Sequence, residues 1–174
     1  MIGKKTLKLM NEQIVKEYYS GWLYMQMAAY FEKMNLKGFA HWLRIQAQEE
    51  ACHGLIFFNH ICDRGEAVQL GAVAGPDQDF KSALDIFERG LKHEYSVTAS
   101  IGNIMEAALA EKDFASQSLL KWFVDEQVEE EANFDEIRSK LALIGQDGNG
   151  LITYDKDLAA RMFVLPAPLA AAGA

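Results

Sequence analysis

Four long stretches of this chain carry apolar residues at alternating spacings of three and four, and each stripe is broken near its middle by a carboxylate. The spacing is that of one face of an α-helix, and four such faces bury themselves by packing together. The first stripe, in a helix of about 6–34, runs Met10, Ile14, Glu17, Gly21, Tyr24, Ala28, Phe31. The second, about 38–64, runs Phe39, Leu43, Gln46, Glu50, His53, Phe57. The third, about 80–110, runs Leu84, Phe87, Leu91, Glu94, Thr98, Ile101. The fourth, about 113–144, runs Leu120, Phe123, Gln127, Glu130, Phe134, Ile137, with Asp113 as its N-cap.

The breaks are predicted to meet. Glu17 lies about seventeen residues before the turn joining the first two helices, and Glu50 about fourteen after it, so both sit some 20–25 Å from that turn. Glu94 and Gln127 stand in the same relation to the turn joining the last two long helices. One stray carboxylate on a seam has no significance; four helices broken at one level do. Glu17, Glu50, Glu94 and Glu130 would bring about four negative charges into one small volume, which must take up protons or cations. Glu50-Ala51-Cys52-His53 puts a carboxylate and an imidazole on one helix face. Oxygen ligands with one imidazole and no thiolate suit iron or manganese better than structural zinc. The alternative is a polar network closed by protonated carboxylates or water.

The chain is predicted to form a single domain, 1–174. A loop of about fifteen residues, Gly65 to Asp79, could extend roughly 50 Å and run the length of a bundle. Such a crossover leaves the second and third helices parallel. After Gly145–Gly150 a short apolar-rich fifth helix is expected over about 151–163, then a frayed tail, 164–174. Asp147-Gly148-Asn149-Gly150 imitates a calcium loop, but Gly145 and Lys156 occupy its outer ligand positions, so it reads as a turn.

Half the residues are hydrophobic, and the net charge of −8 argues against a nucleic-acid partner and suits a handler of cations. Cys52 and Cys62 form no CxxC and read as small packed residues of a reducing compartment. The N-terminus lacks a signal-peptide apolar run and no stretch is long enough to span a bilayer, so the expected location is the cytoplasm, without a membrane partner.

These residues and this layout resemble the ferritin superfamily, specifically its non-haem bacterial and archaeal branch, over essentially the whole chain. The resemblance implies an all-α ferritin-like four-helix bundle with a long crossover loop and a short fifth C-terminal helix. It implies a first iron held by Glu17, Glu50 and His53, with Glu50 bridging to a second held by Glu94 and Glu130, and Gln127 nearby. It implies a third iron on the inner surface at Glu49, Glu126, Glu129 and Glu130. Glu126, Glu129 and Glu130 fall on one side of their helix, which supports that set independently. Tyr24 matches a site-adjacent tyrosine that bonds a ligand or supplies an electron, and Trp122 is a further redox neighbour or a core residue.

Bacterioferritins place a haem-binding methionine where this chain has Ala51, so no haem is expected. Gln117 and Leu120 stand where animal ferritins line channels with carboxylates. The implied function is iron storage with ferroxidase activity. The implied partners are Fe(II), dioxygen or hydrogen peroxide, and further copies of the chain in a 24-subunit shell. An oxygen-activating di-metal oxidase would keep a second Glu-x-x-His, a rubrerythrin would carry CxxC pairs, and a metal-free helical interaction protein leaves the central carboxylates unexplained.

Overall fold

The computed structural model describes residues 1–172; Gly173 and Ala174, the end of the expected tail, lie outside them. Six helices follow one another: α1 Lys4–Lys33, α2 Lys37–Asp63, α3 Ala83–Ala110, α4 Phe114–Ile144, α5 Gly148–Leu158 and α6 Ala167–Ala172. Short turns join α1 to α2 and α3 to α4, and a long non-helical segment joins α2 to α3.

Contacts between side chains fix the directions. Along α1, Gln13, Ser20 and Tyr24 meet Ser100, His93 and Glu94 in turn, so α1 and α3 run antiparallel. Along α2, Gln46 and His60 meet Glu130 and Ser116, so α2 and α4 are antiparallel too. With hairpin turns joining α1 to α2 and α3 to α4, α2 and α3 are therefore parallel, and the 64–82 segment is the crossover.

The helix ends are satisfied individually. Ser82 accepts from the Asp85 N–H at 3.1 Å and caps α3, while Asp113 caps α4 through the Ser116 N–H. The α1 start has no side-chain cap of its own, and Glu111 accepts from the Lys5 and Thr6 N–H groups across the bundle. That contact closes one end.

The core is two apolar clusters. One gathers Leu23, Met27, Phe31, Phe39, Leu43, Phe87, Leu91, Phe134 and Leu141, with Phe31 and Phe39 stacked at 4.8 Å. The other gathers Met10, Ile14, Ile56, Phe57, Ile61, Val97, Ile101, Ile104, Leu120 and Phe123. Between them lies a belt of buried polar residues, one level across all four helices.

α5 departs from its expected bounds. It begins at Gly148 because the Asp147 carboxylate accepts from the Asn149 and Gly150 N–H groups, and it ends at Leu158. Only Tyr154 and Leu158 of it are buried, while Met162 and Phe163, expected within it, are outside the helix and exposed. The tail also differs, because 167–172 is helical. Pro168 stands in its first turn, where a missing N–H costs nothing. Cys62 is exposed instead of packed, and Cys52 is half-buried. Among the described residues, no helix is long and apolar enough to cross a membrane.

Candidate metal centre

The belt holds Glu17 from α1, Glu50 and His53 from α2, Glu94 from α3, and Gln127 and Glu130 from α4, each nearly inaccessible to solvent. Every one is the polar break in an otherwise apolar helix face, so burial of the flanking residues forces these six inward. Glu17, Glu50 and His53 offer ligand atoms all within 4.8 Å of one another. His53 Nδ1 lies 3.5 Å from Glu50 Oε2. His53, Glu126 and Glu130 form a second such trio, with His53 Nε2 3.7 Å from Glu126 Oε1. One imidazole therefore faces carboxylates at both nitrogens.

Neutral groups orient the carboxylates. Gln13 Nε2 donates to Glu17 at 3.0 Å, and Gln46 Nε2 donates to Glu130 at 2.7 Å and to Glu50 at 3.3 Å. Tyr24 donates its hydroxyl to one oxygen of Glu94, and Gln127 Nε2 donates to the other at 3.2 Å. Glu94 thus joins no ligand trio among the described residues and is held by Tyr24 and Gln127 instead. Among the described residues, two buried side-chain polar atoms lack any hydrogen-bond partner: Glu17 Oε2 and His53 Nε2. Orphaned atoms of this kind cost free energy unless a ligand engages them.

The electrostatics follow from burial. Desolvation raises Glu17 and pushes Glu50 up to about 8 and Glu94 up to about 7, with the neighbouring carboxylates adding to Glu50 and Glu94. Desolvation also lifts Glu130 well above the usual carboxylate range. For His53 burial acts downward, and the carboxylates of Glu126, Glu50 and Glu17 outweigh it, holding the imidazole well above its ordinary value. A cation entering this centre would have to displace those protons.

A half-open cleft of about 700 Å³ lies beside the belt on the α2–α4 face. Glu49, Glu126, Glu129 and Glu130, the set expected for a third iron, all line it. They are not equivalent. Glu49 is paired with Arg161, Glu126 faces His53, and Glu129 is exposed. Trp122 packs edge-on to His53 at 5.6 Å. Gln117 ties back to the Ala108 carbonyl at 3.0 Å and Leu120 is core.

The ferritin-like domain model matches residues 7–144, all four long helices. The chain belongs to the ferritin family. A bacterial non-heme ferritin of Staphylococcus aureus is 43% identical over 163 residues, covering 94% of this chain and 98% of its own length. Its counterpart in Staphylococcus haemolyticus is 42% identical over the same share. The open-pore ferritin of the archaeon Archaeoglobus fulgidus superposes with a TM-score of 0.91 at 44% identity, over 93% of this chain and all of its own. A closed form engineered from that ferritin gives a TM-score of 0.92.

Against the ferritin pattern, two groups were not legible as site residues. Gln46 sits on the seam four residues before Glu50, yet nothing in that spacing shows that it joins Glu50 to Glu130. Arg161 reaches the cleft from a segment more than a hundred residues away. No local pattern marks it.

Proposed function

We propose that this chain stores iron and oxidises it on entry, with Glu17, Glu50 and His53 taking one Fe(II) and Glu94 and Glu130 taking its neighbour. Family membership supports iron storage. The observation that carries the oxidation step is the four-helix belt of buried carboxylates around a buried imidazole, with Glu17 Oε2 left without a hydrogen-bond partner. Each Fe(II) gives up one electron. Dioxygen takes the pair with two protons and leaves as hydrogen peroxide, or peroxide takes the pair with two protons and leaves as two waters. Protons for that reduction come from solvent and from Glu50, which burial lifts to about 8. Tyr24 and Gln127 hold Glu94 in place, and Gln46 holds Glu50 and Glu130 in register. The ferric product passes to the acidic cleft and to mineral, inside a shell of 24 copies.

Rapid mixing of Fe(II) with aerobic protein tests this. Loss of a group that merely orients a metal ligand typically costs roughly 10–100-fold. Glu50→Ala, which removes the shared ligand, should lower the fast oxidation phase by more than that. Unchanged fast oxidation in Glu50→Ala would exclude the centre.

A further inference from the structure

Beyond Leu158 the chain turns and runs without helix over 161–166 across the α2–α4 face, covering the cleft. Arg161 anchors it. One guanidinium nitrogen pairs with Glu49, the other donates to Gln46 Oε1 at 2.9 Å, and Cζ lies 4.2 Å above the Trp42 ring. The Arg161 carbonyl accepts from His41 Nε2 at 2.9 Å, which fixes the backbone as well. Both members of the ion pair are largely shielded, at 17% and 15% side-chain exposure. A guanidinium keeps its charge at any ordinary pH, and a forked, ring-stacked one surrenders little freedom on pairing.

We infer that Arg161 stands in for a metal ion at Glu49, so that a third cation can use this carboxylate only by displacing the arginine. The inference rests on the metal reading of the adjacent centre. His53 Nε2, Glu126 and Glu130 already converge within 4.8 Å without Glu49, and His53 Nε2 is buried and unpartnered. What this set lacks is the Glu49 carboxylate. Arg161 holds it, and holds Gln46 as well, whose amide contacts Glu130 and Glu50. Arg161 occupies Glu49 Oε2, and a guanidinium fixed by its ring stacking and its second hydrogen bond repels a cation brought to that oxygen, so arginine and metal compete, and the competition is reciprocal.

Anaerobic titration with Co(II), followed by calorimetry and visible absorption, tests this without any turnover. Wild-type protein should bind two ions tightly at the dinuclear centre and a third weakly. Arg161→Gln should tighten the third by roughly 5–150-fold, the usual range for coupled sites, with two ions still bound at the dinuclear centre. Arg161→Lys keeps the charge but loses the fork and the stacking, so its third affinity should fall between the two. Adding Glu49→Gln to Arg161→Gln should cancel the gain. Equal third affinity in wild type and both arginine variants, or a gain that survives the double substitution, would overturn the inference while leaving the dinuclear reading intact. Absence of the two tight ions in wild type would overturn both.

Discussion

Burial withdraws water from the charged form and lifts Glu50 to about 8 and Glu94 to about 7, so at neutral pH Glu50 keeps most of its proton and Glu94 part of its own. Both are raised above the unfolded carboxylate value, and His53 is raised above the unfolded imidazole value. The folded metal-free protein therefore binds more protons than the unfolded chain. Its stability from these groups is full below about pH 4.5 for the glutamates and is lost as pH rises through about 7 to 8. Thermal melting of metal-free protein should accordingly show a falling Tm between pH 5 and 8, opposing the usual gain from surface carboxylates. Metal binding must release these protons, so affinity should weaken as pH drops below about 8. Calorimetry in buffers of different ionisation enthalpy reads the released protons directly; a buffer-independent heat would contradict the protonated centre. Tyr24 is raised well above its ordinary value by burial and by Glu94, so its hydroxyl stays protonated and donates. Tyr24→Phe should slow the fast oxidation phase by roughly 10–100-fold without loss of fold.

At the scale of elements, α5 depends on one close approach. A Cβ on Gly38 would stand 1.6 Å from the Asp155 carbonyl oxygen, and Asp155 also accepts from the Phe39 N–H at 3.0 Å, serving the uncapped start of α2. Gly38→Ala should cost about 1–3 kcal/mol, as overpacking does, and release α5 from the bundle. Differential hydrogen exchange of 148–158 against the rest checks this; unchanged protection would contradict the docking. The four long helices were legible because each stripe runs far enough for its period to be unambiguous, and its polar breaks fell at a common distance from short turns. α5 was misplaced for a physical reason. Counting apolar residues puts Met162 and Phe163 in the helix, whereas the Asp147 side chain sets where it begins, Tyr154 and Leu158 are its buried residues, and Leu151 packs against the core half-buried. The Arg161–Glu49 pair was illegible because it joins residues 112 apart through a non-helical segment, which no periodicity encodes.

For the whole molecule, two apolar clusters clamp a polar belt, and the belt's position at mid-bundle is set by the lengths of α1–α4. On the proposed reading of a 24-copy shell, native mass measurement should give roughly 470 kDa, 24 copies of a 19.5 kDa chain. A stable monomer would contradict the storage reading, since one copy encloses nothing. On the proposed function, carboxylates from four helices converge because iron neutralises them. Anaerobic Fe(II) soaking of crystals, with metal positions read from anomalous scattering, checks this at the atoms themselves. Two adjacent peaks are expected, one against Glu17, Glu50 and His53 and one against Glu94 and Glu130. Peaks confined to the exposed acidic surface, with the belt holding none, would contradict it.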